Sequence, residues 1–205
     1  MDKYFACLGL PGSFVLTTGL SLYALILANV SMTPARWLCF LAMAFSSVGD
    51  IFLMRFRGLD RIFPNYFTWG ACAFMLAHVA YTASFALRIR ESGAAYMNPG
   101  MWLAVMLAAG CLVYLTVNCQ NRSQYLLCAV YGVIIAVNCM TVFSYAWSCW
   151  RAHPMAIVSA IGALSFFLSD MIIGLGMLTR QTQYDPLIWW LYPIGQFLLI
   201  TGAGM

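Results

Sequence analysis

Residues 155–178 read MAIVSAIGALSFFLSDMIIGLGML, an apolar stretch with a single charged side chain, that of Asp170. A helix needs about 20 apolar residues to cross roughly 30 Å of hydrocarbon, so this stretch is long enough to span a membrane. The rest of the chain has the same character, because 63% of its 205 residues are apolar and only 8% are charged. This composition predicts an all-α integral membrane protein.

Six further stretches have a similar length and composition, which predicts a polytopic transmembrane bundle of about seven helices. The seven stretches are Leu8–Ala28, Ala35–Met54, Phe67–Leu87, Met101–Val117, Gln124–Ser148, Met155–Leu178 and Leu187–Ala203. Prolines mark four of the helix starts, in the pairs Thr33-Pro34, Asn98-Pro99, His153-Pro154 and Asp185-Pro186. The first stretch lacks a small-x-small cleavage motif, so we expect a retained helix rather than a signal peptide. We predict a single transmembrane domain over residues 1–205.

Lysine and arginine are unevenly divided between the two sides of the predicted bundle. The amino-terminal side carries six, namely Lys3, Arg55, Arg57, Arg61, Arg122 and Arg180, and the other side carries four, namely Arg36, Arg88, Arg90 and Arg151. Cytoplasmic loops are enriched in both residue types, so this bias favours a cytoplasmic amino terminus. The compact chain and its short loops suggest a bacterial cytoplasmic (inner) membrane, or the endoplasmic reticulum in a eukaryotic host.

The cysteines and histidines do not form a recognisable metal-binding motif. The eight cysteines include no Cys-x-x-Cys pair, and His78 and His153 lie in different parts of the chain. Two histidines cannot supply a three-histidine zinc site. We therefore predict no metal, no cofactor and no nucleic-acid partner. A metal held by the two membrane aspartates is the alternative, and the oligomeric state stays open.

Two aspartates, Asp50 and Asp170, interrupt these apolar stretches. A carboxylate at membrane depth costs several kcal/mol unless it is neutralised, paired or hydrated, so such residues usually face a polar interior. The stretches that carry them run in the same direction, and His78 and Gln196 follow on returning stretches, about 16 Å from the amino-terminal side. We therefore predict that these four side chains line one cavity.

The spacing of the polar residues also suggests an internal repeat. His78 follows Asp50 by 28 residues, and Gln196 follows Asp170 by 26. Stretches one to three would then match stretches five to seven as a parallel 3+1+3 repeat about an axis along the membrane normal. Glycines at positions 162 and 174 share a helical face with Asp170 and predict a close approach of another helix.

Structural roles are the alternative for each of these residues. Either aspartate can simply be hydrogen-bonded to a tyrosine or serine of a neighbouring helix, and His78 can be a packing residue. Most of the tryptophans lie near the ends of the stretches, which is typical of an aromatic belt at the membrane surface.

Five blocks of sequence resemble one family of membrane proteins. They are SSVGD at residues 46–50, FMLAHVAY at 74–81, VYG at 130–132, GALSFFLSD at 162–170 and YPIGQ at 192–196. In order and spacing they are similar to the YhhN-like proteins, a family that includes the lysoplasmalogenases, and the resemblance runs from about Leu10 to Gly202. Relatives are commonly drawn with eight helices, so the resemblance allows an eighth beside the seven predicted from the sequence.

The resemblance implies a membrane-embedded hydrolase that cleaves the vinyl ether bond of a lysoplasmalogen, giving a fatty aldehyde and a glycerophospho-headgroup. Vinyl ether hydrolysis needs one carboxylic acid to protonate the alkenyl carbon and one carboxylate to stabilise the resulting cation, which assigns catalysis to Asp50 and Asp170. The supporting residues would be His78, Tyr81, Tyr131, Tyr192 and Gln196. Candidates for binding the headgroup phosphate are Arg55, Arg57, Arg61 and Arg180.

Two other classes of function remain as alternatives. A proton- or cation-coupled transporter of small molecules or lipids would use the two aspartates as ion-binding residues around a midplane site. A helical scaffold would use them as buried structural carboxylates. The expected partners are a lysophospholipid substrate and the surrounding membrane lipids.

Overall fold

The computed structural model describes residues 12–54, 59–93, 102, 105–110, 122–179 and 185–203. Seven helices are delimited in this part of the chain. They are α1 (Gly12–Ser31), α2 (Pro34–Leu53), α3 (Leu59–Ile62), α4 (Tyr66–Glu91), α5 (Arg122–Cys149), α6 (Met155–Thr179) and α7 (Asp185–Gly202). None of the described residues lies in a strand, and the predicted all-α fold is confirmed.

Six of the seven predicted stretches coincide with α1, α2, α4, α5, α6 and α7, and their ends agree within a few residues. The short helix α3 lies in a predicted connection. Within the stretch Met101–Val117, residues 102 and 105–110 are helical, and the remainder lies outside the described residues together with Asn98-Pro99.

Prolines mark the helix starts because a residue at the first turn needs no N–H donor. Pro34 is the first residue of α2, and Thr33 caps the helix by accepting a hydrogen bond from the backbone N–H of Arg36 at 3.4 Å. Pro154 directly precedes α6, and Pro186 is the second residue of α7. The predicted boundaries therefore have a simple local cause.

The bundle is apolar on the outside and carries its polar side chains inside. Four described helical segments are long and apolar enough to cross a membrane, namely Pro34–Leu53, Tyr66–Glu91, Leu126–Cys149 and Met155–Gly174, and Val15–Ser31 is a shorter apolar helix. Large apolar residues such as Leu22, Val79 and Ile161 are exposed, whereas His78 and Gln196 are buried. This distribution is that of an integral membrane protein, whose surroundings are lipid rather than water.

The long helices pack in chain order and form a ring. Helix α1 packs on α2, α2 on α4, α4 on α5, α5 on α6 and α6 on α7, and α7 closes the ring by contacting α1 and α2. The ends of α2, α4, α6 and α7 nearest the amino-terminal side therefore surround a common interior. The internal repeat stays a prediction.

Glycines let α6 and α7 approach closely. A Cβ atom on Gly162 would lie 2.7 Å from the backbone nitrogen of Leu199, and one on Gly195 would lie 2.8 Å from that of Phe166. Gly202 meets Ser159 in the same way. A Cβ on Gly174 would meet no described atom within 4 Å, so the predicted close approach is found at Gly162 and not at Gly174.

Two arginines hold the far end of α7, on the side opposite the amino terminus. Arg36 of α2 donates from Nη1 to the carbonyl of Ile200, and Arg88 of α4 donates from Nε to the carbonyl of Ala203 at 3.0 Å. The last carbonyls of a helix have no partner within the helix and carry partial negative charge, so guanidinium groups stabilise them. Arg88 also contacts Glu91 at 3.3 Å. These contacts fix the carboxyl-terminal turn of α7 to its neighbours.

The close contact of α6 and α7 predicts opposite effects for two alanine substitutions. Gly162→Ala should lower the melting temperature of the detergent-solubilised protein, because the new methyl group meets backbone atoms and overpacking costs about 1–3 kcal/mol. Gly174→Ala is the matched control, since it gains about 1 kcal/mol of helix propensity without a described clash. Thermal unfolding followed by tryptophan fluorescence measures both, and equal melting temperatures would contradict the packing.

Candidate active site

Asp170 lies in a cluster with a histidine and a tyrosine from two other helices. The hydroxyl of Tyr131 on α5 donates to Asp170 Oδ2 at 2.6 Å, and His78 Nε2 on α4 lies 3.2 Å from the same oxygen. The Tyr131 hydroxyl lies 3.5 Å from His78 Nε2. Only 2% of the His78 side chain and 6% of the Asp170 side chain are exposed. Helices α4 and α5 thus bring polar groups to one carboxylate oxygen of α6.

The main chain of His78 is also held in place. Asn138 on α5 donates from Nδ2 to the carbonyl oxygen of His78 at 3.0 Å. The second ring nitrogen of His78, Nδ1, is buried and has no hydrogen-bond partner among the described residues. Of the two ring nitrogens, Nε2 is therefore the one that lies next to the Asp170 carboxyl group.

Asp50 has a separate set of partners. The hydroxyl of Tyr192 on α7 donates to Asp50 Oδ2 at 2.9 Å, and the Thr17 side chain on α1 hydrogen bonds the same carboxyl group. The two aspartates are close enough for their charges to act on each other. Each carboxyl group therefore has its own tyrosine donor, but only Asp170 has a histidine beside it.

Gln196 links three helices beside the aspartates. Its side-chain oxygen accepts a hydrogen bond of 2.5 Å from the Tyr81 hydroxyl, and its side-chain nitrogen donates to Ser46 Oγ at 3.0 Å. Both side-chain polar atoms of this buried amide are satisfied, so Gln196 fixes α7 against α2 and α4. No hydrogen bond between Tyr81 and either aspartate is described, and the described partner of its hydroxyl is Gln196.

Two phenylalanines stand between the two aspartate clusters. The Phe166 ring lies 4.6 Å from the His78 ring and 5.4 Å from the Tyr192 ring, measured between centroids. The Phe74 ring lies 5.9 Å from the Tyr192 ring and 6.4 Å from the Phe166 ring. Both phenylalanine side chains are buried. We call Phe74 and Phe166 the aromatic partition.

A cavity of about 280 Å³ lies on the Asp50 side of this partition. Its polar lining comes mainly from Thr17, Asp50 and Tyr192, and most of the remaining lining is apolar or aromatic. The other lining residues are Leu16, Leu53, Met54, Tyr66, Phe67, Phe74, Ile173, Ile188, Trp189 and Pro193. Met54 and Tyr66 lie at the ends of α2 and α4 nearest the amino-terminal side. The cavity thus extends from the buried Asp50 carboxyl group toward the amino-terminal side of the bundle.

The structure brings together most of the predicted site residues, in two neighbouring clusters. Asp50 and Tyr192 line it, whereas Asp170, His78 and Gln196 are not among its lining residues. That Asp50, Asp170, His78 and Gln196 share one cavity stays a prediction, and Phe166 packs between the His78 ring and the Tyr192 ring.

Of the four arginines predicted to bind the headgroup, one lies within the described residues. Arg61 lies in the short helix α3 and is exposed. Arg55, Arg57 and Arg180 lie outside the described residues. Trp189, near the start of α7, lines the cavity.

Sequence reasoning missed Thr17, Asn138 and the aromatic partition. Threonine and asparagine inside an apolar stretch are weak signals, since either can hydrogen bond its own helix. Among the described residues no group of three His, Cys, Asp or Glu side chains is arranged to hold a metal ion.

Comparison with known proteins assigns the chain to a family. The model of the YhhN family matches residues 13–203, nearly the whole chain. The chain belongs to the YhhN family. Its aspartate, histidine and tyrosine clusters all lie within the matched region, and no solved structure matches the chain.

Curated relatives are 27% to 30% identical to this chain over the aligned residues. "Lysoplasmalogenase TMEM86A" of Bos taurus is 27% identical over 83% of this chain and 66% of its own length. "Lysoplasmalogenase TMEM86B" of Homo sapiens is 30% identical over 71% of this chain and 51% of its own length. "Lysoplasmalogenase" of Mycobacterium bovis is 27% identical over 66% and 50%, respectively. The chain thus spans between half and two thirds of the length of these relatives.

Loss of the Tyr81 hydroxyl should destabilise the bundle. In Tyr81→Phe the buried side-chain oxygen of Gln196 loses its donor, which costs about 1–3 kcal/mol. Tyr145→Phe is the matched control, because Tyr145 is equally buried and no described group hydrogen bonds its hydroxyl. Thermal unfolding in detergent should show a lower melting temperature for Tyr81→Phe alone. A similar decrease in both variants would contradict this role of the hydroxyl.

Proposed function

We propose that this protein is a membrane hydrolase that cleaves the vinyl ether bond of lysoplasmalogens. The observation that carries the proposal is a buried carboxyl group, Asp50, in the wall of a largely apolar cavity, with a second carboxyl group, Asp170, close behind it. Membership of the YhhN family, in which relatives are named lysoplasmalogenase, supports the same reaction.

The reaction needs an acid and a stabilised cation. A carboxylic acid transfers its proton to the outer alkenyl carbon, and the electron pair of the double bond forms the new C–H bond. The ether oxygen then shares the positive charge as an oxocarbenium ion. Water adds to the cationic carbon and loses a proton to a carboxylate, and the resulting hemiacetal breaks down to a fatty aldehyde and a free glycerol hydroxyl. Glycosidases use two carboxyl groups against a similar cation.

The cavity suits one chain of an amphiphilic substrate. Most of its lining is apolar or aromatic and can accept the alkenyl chain, while its polar residues lie where the ether group would react. The phosphate of the headgroup would remain at the amino-terminal side of the bundle, where Arg61 is exposed. Arg55, Arg57 and Arg180 belong to the same side by sequence and are proposed as further phosphate partners.

We also propose in which membrane the protein lies. The lysine and arginine bias favours an amino-terminal side that faces the cytoplasm. We propose the bacterial cytoplasmic membrane, or the endoplasmic reticulum in a eukaryotic host. In either membrane the substrate would reach the cavity from the leaflet on the amino-terminal side.

The direct test is aldehyde release from an alkenyl lysophospholipid by the purified protein in detergent with a chelator present. Asp50→Asn and Asp170→Asn should each lower the rate, by about 10²- to 10⁴-fold for a group that transfers a proton. Both variants must elute as folded, monodisperse species. The saturated ether and the acyl lysophospholipid are the substrate controls and should release no aldehyde.

A folded wild-type protein that releases no aldehyde from any alkenyl lysophospholipid would contradict the proposal. Proton- or cation-coupled transport would then be the next activity to measure in proteoliposomes. Variants that unfold instead of losing activity would favour the structural role of the aspartates.

Deuterium labelling tests the proposed chemistry itself. In D₂O the fatty aldehyde should carry one deuterium on the carbon next to its carbonyl carbon, because the transferred proton comes from an exchangeable carboxyl group. Rapid reduction of the aldehyde to the alcohol prevents later exchange, and mass spectrometry counts the label. Authentic unlabelled aldehyde treated in the same way is the control, and an unlabelled product would exclude protonation at carbon.

A further inference from the structure

The two aspartates differ in what surrounds them. We infer that Asp50 alone meets the substrate as the proton donor, and that Asp170 is a positioning residue, paired with His78 behind the aromatic partition. The catalytic part of this inference rests on the proposed function. The accessibility of the two carboxyl groups can be measured without it.

Access to the cavity distinguishes the two carboxyl groups first. Asp50 lines the cavity together with its partners Thr17 and Tyr192. Asp170 is not a lining residue of this cavity, although Ile173, one turn further along α6, is. The described lining of the cavity therefore includes the Asp50 cluster and Phe74, but not Asp170.

The two carboxyl groups also differ in whether a cationic side chain lies beside them. Among the described residues the hydrogen-bond partners of Asp50 are hydroxyl groups, those of Tyr192 and Thr17, and no cationic side chain lies beside it. Asp170 has the His78 imidazole at 3.2 Å, a potential ion-pair partner that Asp50 lacks among the described residues. An unpaired carboxylate is costly at membrane depth, so Asp50 is the group that retains its proton there.

The aromatic partition keeps the two clusters apart. Phe166 packs against the His78 ring on one side and the Tyr192 ring on the other, and Phe74 packs against both Phe166 and Tyr192. Both phenylalanines are buried, and Phe74 also lines the cavity. The Asp170 charge can still act across this distance, because the two carboxyl groups interact electrostatically.

The division of roles gives a balanced reaction cycle. The Asp50 carboxyl group gives its proton to the alkenyl carbon and becomes a carboxylate beside the oxocarbenium ion. The attacking water returns one proton to Asp50, and the same carboxyl group carries the proton from the hemiacetal hydroxyl to the departing ether oxygen. Asp50 ends the cycle protonated, and no step of the cycle transfers a proton to or from Asp170 or His78.

Carbodiimide labelling measures the asymmetry directly. Dicyclohexylcarbodiimide is an apolar reagent whose C=N bond adds the O–H of a protonated carboxyl group, and the adduct rearranges to a stable N-acylurea with no leaving group. Treatment of the detergent-solubilised protein followed by peptide mass spectrometry should show Asp50 labelled at least about tenfold more than Asp170. Asp50→Asn should lose this label, whereas Asp170→Asn should keep it.

A partition variant sharpens the same measurement. Phe74→Leu shortens the partition while retaining an apolar side chain, so it should increase labelling of Asp170 without decreasing that of Asp50. Equal labelling of the two aspartates in the wild type, or no labelling of Asp50, would overturn the inference. Unchanged Asp170 labelling in a folded Phe74→Leu variant would count against the partition.

Kinetics test the positioning role. Asp170→Asn and His78→Gln should each lower kcat with little change in KM, and the double variant should be no slower than the slower single variant, because the two residues act as a unit. Additive losses would contradict the pairing. If the wild type labels at Asp50 but releases no aldehyde, the proposed function fails and the asymmetry of the site stands.

Discussion

The cost of a carboxylate in hydrocarbon is the constraint on which this structure depends. Two of the chain's six acidic residues lie in membrane-spanning helices, and both are surrounded by donors from other helices. Satisfying Asp170 requires side chains of α4 and α5, and satisfying Asp50 requires side chains of α1 and α7. The two carboxyl groups therefore specify four helix contacts that apolar packing alone would leave unspecified, since lipid tails compete equally well for apolar surfaces.

Close backbone packing makes these hydrogen bonds geometrically possible. Tyr192 and Gln196 flank Gly195, the residue at which α7 lies against the backbone of α6. A larger residue there would push α7 outward, and its hydroxyl and amide groups would move away from Asp50, Tyr81 and Ser46. The small residues thus allow α6 and α7 to approach closely, and the polar residues form hydrogen bonds between the helices that this approach brings together.

Much of the architecture is predictable from the sequence because the signals are local. Apolar stretches of about 20 residues mark six helices to within a few residues, and prolines mark the starts of α2, α6 and α7. The two intramembrane aspartates mark the candidate site. The arrangement inside the site is less predictable. Whether His78 serves Asp50 or Asp170 depends on the rotation of α4 about its axis, and the separation of the two clusters depends on Phe74 and Phe166, which look like ordinary core residues in the sequence. Thr17 carries no signal at all, since its role comes only from the packing of α1 on α2.

The arginine contacts of α7 have a mechanical consequence. Arg36 and Arg88 fix its carboxyl-terminal turn, and Gly202 lies against Ser159 at the same end, whereas Ile188 and Trp189 border open space at the other. Pro193 lies between these ends and removes one main-chain hydrogen bond from the helix. The helix is therefore held at its carboxyl-terminal end and can bend at Pro193. The part of α7 before Pro193 lines the cavity and carries Tyr192, so a bend at this proline would change both the shape of the cavity and the position of Tyr192 beside Asp50.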